Sequence, residues 1–319
     1  MLKKILLILM LCISTFANAQ TWPSRPVKLI IPYPPGGGND SLGRLIGQKL
    51  GETLGQPVVV DNRAGAGATI GTELAAKSPA DGYTILLSSI TTHALAPALY
   101  AKLGYDPIKD FTPLSIIAVA PTVLVVGPHV KAASLPALIA LAKASPGKMT
   151  FASGGSGASP HIAGELFKSV AGIDLLHIPF RGGGPASLAI MAGDVDMMFD
   201  TTASAMPHVK SGKLTALALA TPARLPDYPT LPTFIEGGVS AYEFNSWYSL
   251  HAPAGTPKPI VDRLRTEITN ILKNPEVRNR IKAFGAEPSS LSGDAFAEFQ
   301  QAELNKYTRL IKAANIKLE

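Results

Sequence analysis

Cysteine is nearly missing from this chain: Cys12 is the only one in 319 residues. A disulfide framework and a thiolate metal site are therefore excluded. Long apolar runs are also missing. The one candidate, Ile5 to Ile13, falls well short of the roughly 20 residues a membrane-spanning helix needs. Charge is sparse, at 16% of residues, and interspersed, with no basic block of the kind a nucleic-acid surface carries. The net charge of +6 falls to +4 if Lys3 and Lys4 are removed with the segment that holds them, leaving mild attraction for anions and no more.

What is present begins with an address. Lys3 and Lys4 precede the apolar run, and Ala17-Asn18-Ala19 closes it with small residues. That is the pattern of a secretory signal peptide cleaved after Ala19, with free export of the remainder. A lipid anchor at Cys12 is disfavoured because Leu11, not a small residue, stands before it. About 300 mature residues then suffice for one large domain or two lobes.

The chain is organised around Pro32-Tyr-Pro-Pro-Gly-Gly-Gly-Asn-Asp40, set between the apolar run Val27 to Ile31 and an amphipathic segment starting at Ser41. The order predicts strand, loop and helix start. Three glycines permit backbone conformations closed to other residues and let a ligand approach main-chain N–H groups. Asn39 or Asp40 is placed to cap the helix, whose N-terminus offers unpaired donors and a positive dipole end to an anion. A tight turn with nothing bound fits equally well at this point.

Leu42, Leu45, Ile46, Leu50 and Leu54 recur at helical spacing, stopped by Gly55 and Pro57. A short buried strand, Val58 to Val60, leads into a second Gly-rich stretch at 61–71. Its G-x-G-x-x-x-G spacing misses the dinucleotide fingerprint by one residue. Tyr83 to Leu87 reads as a strand with a hydroxyl-rich loop, 88–93, at its end. Strands alternating with helices argue for a mostly parallel sheet, and ligands of such sheets bind at the strands' carboxyl ends. Two strand-like runs, Leu114 to Ala120 and Val123 to Val126, flank Pro121-Thr122, which predicts a crossover there.

The pattern then restarts: a helix over 135–144, a strand over 149–152, and the Gly/Ser loop Ser153 to His161 before another helix. Two facing loops of this kind can clamp one small ligand. His161, Arg181 and Asp200 are the polar side chains placed nearest such a cleft, each with an alternative: a helix-start residue, a solvated charge and a helix cap. A return crossing is expected at 243–250, with Trp247 and Tyr248 lining the cleft or the core, and everything beyond Thr256 reads as helices packed on the first lobe. The segment Gly154-Gly-Ser-Gly-Ala158 also comes within one residue of the hydrolase elbow G-x-S-x-G. A secreted serine hydrolase would use Ser156 as nucleophile, with Asp200 and either His208 or His251.

Ordered motifs spread over nearly the whole mature chain carry a resemblance. They are W-P-S-R-P-V-K-L-I-I-P-Y-P-P-G-G-G-N-D from Trp22, G-Q-P-V-V-V-D-N-R-A-G-A-G from Gly55, A-D-G-Y-T-I-L-L from Ala80, and Y-D-P-I-K-D-F from Tyr105. A-S-G-G-S-G-A-S-P-H-I-A-G-E-L-F from Ala152, M-F-D from Met198 and A-P-A-G-T-P from Ala252 complete the set. The sequence resembles the Bug family, periplasmic solute-binding receptors of tripartite tricarboxylate transporters. The resemblance implies an α/β, two-lobed periplasmic-binding-protein (Venus flytrap) fold, with lobe 1 at 20–121 and 246–319 and lobe 2 at 122–245. It implies a non-catalytic, monomeric receptor that grips a small carboxylate without cofactor, metal or nucleic acid. The implied partners are transporter membrane subunits or, alternatively, a sensor kinase. Carried onto this chain, the grip comprises Tyr33, Gly37, Gly38 and Asp40 from the first loop. The second contributes Ser153, Gly155, Ser156, Gly157, Ala158 and His161. Ala66, Ser88, Ser89, Thr91 and Asp200 stand at neighbouring strand mouths. Ala158 and Pro160 replace a threonine and serine frequent in the family, and Tyr33, Pro35 and Arg181 also depart from its habit. These changes would reshape the distal pocket, in favour of a bulkier or aromatic carboxylate.

Overall fold

A computed structural model of the chain describes residues 22–240 and 242–316; the proposed signal peptide, 1–19, lies outside the described residues. The elements follow the alternation of apolar and amphipathic segments. In order they are β1 (Val27–Ile31), α1 (Gly38–Leu54), β2 (Val58–Asn62), α2 (Thr69–Ala76), β3 (Thr84–Ser89), α3 (Ala96–Leu99) and β4 (Phe111–Val126). Next come α4 (Leu135–Ala144), β5 (Thr150–Ser153), α5 (Ser159–Ala171), β6 (Leu176–Pro179), α6 (Gly183–Ala192), β7 (Met197–Thr201), α7 (Thr202–Lys210) and β8 (Thr215–Leu219). The return strand β9 (Asn245–Pro253) precedes α8 (Lys258–Lys273), α9 (Pro275–Ala283), β10 (Glu287–Pro288) and α10 (Gly293–Ala313).

The strands form one curled sheet in the order β2-β1-β3-β9-β4-β7-β5-β6. Its two outer parts are parallel, β1 with β2 and β3 on one side and β5 with β6 and β7 on the other. Between them run β9 and β4, antiparallel to each other and to their neighbours. β4 is one continuous strand of 16 residues rather than the two runs the sequence suggests. Phe111 to Pro121 pairs with β9, and Thr122 to Val126 pairs with β7. The missing N–H of Pro121 thus falls where one pairing gives way to the other, the position at which a strand tolerates proline best.

Two apolar cores flank this junction. Leu29, Ile31, Leu42, Leu45, Ile46 and Leu50 pack with Leu264 and Ile268 of α8. The other core joins Phe151, Phe167, Phe199 and Phe234. The tail does not keep to one side: α8 and α9 pack on the first core, whereas Tyr307 and Ile311 of α10 enter the second. Trp247 is core as well, its Nε1 donating to Glu303 Oε2 at 3.0 Å. β2 is an edge strand with Val59 half exposed, not the buried strand its three valines predict. β-Branched residues satisfy both settings, so composition cannot tell an edge from a centre.

Candidate functional site

The first glycine loop is fastened from within. α1 starts three residues earlier than its apolar periodicity indicates, with Gly37 as N-cap and no side chain capping it. Asp40, expected as cap or ligand contact, is buried and fully occupied. Its Oδ2 accepts from Gly36 N at 3.0 Å and Arg44 Nε at 2.9 Å, and its Oδ1 from Asn62 Nδ2 at 2.9 Å. Burial works against the charge, but these donors outweigh it and hold the carboxyl below its ordinary range. Asn62 Nδ2 also donates to Tyr33 O at 3.1 Å, tying the loop to β2. The first intrahelical bond runs from Ser41 N to Gly37 O, so the N–H groups of Gly38, Asn39 and Asp40 are the donors the helix itself leaves over. A methyl group added to Gly37 would meet no atom within 4 Å. These donors therefore border open space.

The second loop repeats the design with histidines. Gly155 N donates to Ser153 Oγ and Gly157 N to His161 Nδ1, both at 3.1 Å. The main-chain donors of these two glycines, expected to face a ligand, are turned inward instead. His161, at the third position of α5, reaches back to the residue before the N-cap, Ala158, in the manner of a capping box. His177 of β6 shares a 2.6 Å hydrogen bond with Ser153 and stacks on His161 with ring centroids 4.0 Å apart. Burial lowers the pKa of both rings to about 4, helped at His161 by His177 and Lys168 and at His177 by Lys168. At neutral pH they are uncharged struts. Ser156 is exposed at the tip of the loop. A third glycine turn backs this one, Gly182 N donating to Gly154 O at 3.2 Å.

Between the loops, the polar ends of β3, β7 and β9 converge. Ser89 shares a 2.5 Å hydrogen bond with Tyr33 Oη and accepts Thr91 N at 3.1 Å. Burial pushes the Tyr33 phenol up to about 12, although Ser89 and Thr91 pull the other way. Ser88 points to the opposite face, contrary to expectation. It is fully buried against Ser249 Oγ (2.7 Å) and His251 Nδ1 (2.6 Å). Ser88 and Ser89 belong to β3 itself, not to a loop, so alternation alone sends one hydroxyl to each side. Tyr248 lies across from Ser89 in the β3–β9 register, and its Oη lies 4.0 Å from where a side chain on Gly38 would begin. Asp200 is half-buried on β7, opposite Val123, with Thr201 N donating to its Oδ1 at 2.8 Å. Burial raises its pKa to about 6, against the pull of Ser204 and the Thr201 N–H. The cap of α7 is Thr201, not Asp200. Ala66 opens a left-handed turn with Gly67 and Ala68 (φ 44°, 62° and 74°), and its carbonyl accepts from Thr69 Oγ1 and Tyr100 Oη.

One of the two bases the hydrolase arrangement could use is already engaged elsewhere. His251 is committed to Ser88 and to Gln300 Oε1 at 2.9 Å, in a buried network capped by stacking on His93. Sequence reasoning missed His177 and Ser246. Ser246 of β9 shares a 3.0 Å hydrogen bond with Ser159 at the start of α5, tying the second loop to the return strand. Neither carries a motif; only pairing, Phe151 beside His177 and Ala120 beside Ser246, brings them to the loops.

Comparison with known proteins agrees with this architecture. Residues 42–316 match the model of the tripartite tricarboxylate transporter family receptor, TctC. The protein BugT of Bordetella pertussis (strain Tohama I) is 37% identical over 303 residues, 95% of this chain and 93% of that protein. The solved structure of R. palustris Rpa4515 with adipate is 34% identical, with a TM-score of 0.87 over 93% of this chain and 99% of that one. MatC from Rhodopseudomonas palustris with bound malate is 31% identical, with a TM-score of 0.83 over 91% and 100%. The fold is thus the two-lobed periplasmic-binding-protein type, and the chain belongs to the tripartite tricarboxylate transporter receptor family, the TctC or Bug family of solute-binding proteins.

Proposed function

We propose that this receptor captures a small carboxylate between two lobes and delivers it to a transporter in the membrane. The lobes would be 20–121 with 246–319, and 122–245, and the chain would work in the periplasm after losing residues 1–19. The observation that carries this reading is the pair of helix N-termini, α1 behind Gly37 and α5 behind Ala158, on either side of the β4–β9 junction. Each leaves main-chain donors unpaired by its own helix. Such donors, with the helix dipole, suit a carboxylate held directly or through water. Similar proteins whose structures hold adipate and malate support the same class of ligand.

Within the loops the roles divide. Gly38, Asn39, Ser156 and Ser159 present main-chain N–H groups or hydroxyls to the ligand. Asp40, Arg44, Asn62, Ser153, His161 and His177 keep the loops in shape. Tyr33 and Tyr248 form the floor. Thermal shift against dicarboxylates, citrate, aromatic carboxylates and acidic amino acids, on protein first stripped of carried-over ligand, tests the proposal. A true ligand at 100 times its Kd stabilises by about 2.7 kcal/mol. A complete lack of response to every carboxylate would overturn it.

A further inference from the structure

Asp200 is an acid in the wall of a site read as anion-binding, and no arginine near the loops in sequence balances it. Arg44 is spent on Asp40 and Asn62, Arg63 pairs with Asp61, and Arg181 is exposed. The groups facing Asp200 are neutral. Tyr248 from β9 keeps its phenol proton, burial raising its pKa and the nearby Asp200 carboxylate adding to the rise, and Tyr33 from the first loop is likewise neutral. On β4 the partners in register are Thr122 and Val123, which carry no charge. α7 contributes the Ser204 hydroxyl, and its His208 and Lys210 lie in the last turn, at the other end of the helix. From the tail, Gly285 O accepts Thr202 Oγ1 at 3.1 Å, while Lys282 and Glu287 nearby pair with each other at 3.6 Å. On α5 and β6 the stacked pair His161 and His177 is uncharged, and Lys168, the cation that both rings sense, is paired with Glu165 at 3.0 Å.

We infer that the receptor takes up its carboxylate together with a proton: Asp200 is protonated in the liganded state and donates a hydrogen bond to the anionic ligand. This rests on the carboxylate reading above and adds the protonation state of the site to it. An ionised Asp200 would set two like charges side by side in one site, which favours neutralising one of them. Among the described residues no cation pairs with Asp200, whose carboxyl is held by the Thr201 N–H and the Ser204 side chain, and it stands one residue beyond the point at which β4 changes partners. The elevated pKa of the unliganded protein, about 6, means that little work is needed to complete the protonation. Proton balance is simple: one proton passes from solvent to one carboxyl oxygen of Asp200, and no covalent bond to the ligand forms.

The test is calorimetric titration, between about pH 6.5 and about pH 8, with whichever of malate, adipate, citrate or benzoate stabilises the protein. Across this range the carboxylates of malate, adipate and benzoate stay ionised, citrate being compared only in its upper half because its third carboxyl titrates at the lower end, and Kd should weaken up to tenfold per pH unit. Repeating the titration at pH 7 in two buffers of different ionisation enthalpy should reveal uptake of close to one proton. Asp200→Asn, whose amide donates at every pH, should remove both the pH dependence and the proton uptake. A Kd that is flat with pH and no proton uptake would overturn the inference while leaving the receptor reading intact. Affinity that strengthens as pH rises would show an ionised Asp200 pairing with a cationic group of the ligand, which also overturns it. If no carboxylate of the whole thermal-shift panel binds, the functional reading fails and the inference fails with it.

Discussion

Asp40 is the internal anchor of the first glycine loop. Its carboxylate gathers Gly36 N, Arg44 and Asn62 and so fixes the curve of the first loop. Asp40→Ala removes three hydrogen bonds whose donors water can reach at Gly36 and Arg44, at a cost of about 0.5–1.5 kcal/mol. The urea midpoint should fall accordingly, and carboxylate affinity should fall with it. Tyr33→Phe removes one hydrogen bond to Ser89 and keeps the ring, so a loss of about 0.5–1.5 kcal/mol in stability is expected. Tyr33→Ala should change ligand preference more than stability if the ring borders the far end of the ligand, as binding assays over several carboxylates would show. Asp200 acts on stability in the opposite direction from Asp40. Its folded pKa, about 6, lies above the unfolded value, so the stability it contributes at low pH is lost as pH rises from about 4 to about 6. Asp200→Asn should therefore raise Tm at pH 7, by about 1–2 kcal/mol in stability, and leave Tm at pH 4 nearly unchanged. These residues differ in how legible they were. Asp40 was read from its Gly-rich loop as a helix cap or ligand contact; the cap is Gly37, and the bond of Asp40 to Asn62, 22 residues away, has no local pattern to announce it.

At the scale of elements, α1, α4 and the helices of the tail could be read from apolar periodicity and their glycine and proline stops. Burying one face decides a helix locally. Strands were harder, because register and neighbours depend on partners far along the chain. β2 was read as buried and is an edge; β4 was read as two strands and is one; Ser88 was read as facing a ligand and faces His251. The support of α5 by His161 and His177 was only half visible. His161 stood in a recognisable loop, whereas His177 sat in a short strand without a motif. The pair carries a pH signature. The unfolded chain binds protons on both imidazoles below about pH 6.5, and the folded chain does so only near pH 4. Stability should thus decline as pH falls through that window. His177→Phe, which keeps the stacking and cannot be protonated, should make Tm less sensitive to pH between 4 and 6.5, as melting curves over that range would show.

At the scale of the molecule, the two loops lie on opposite sides of a junction crossed by β4 and β9, with Ser159 and Ser246 joining α5 to the return strand. A binding site shared across such a junction couples ligand capture to hinge bending. Two anion-binding helix starts, each rigidified by its own buried polar network, would then close on one carboxylate. Amide chemical shifts during titration of isotope-labelled protein with adipate or malate test that most directly. Saturating shifts at Gly38 and Asn39 and at Ser156 to His161, following one common Kd, are the expected result. Shifts confined to one loop, or two loops titrating with different Kd values, would contradict it.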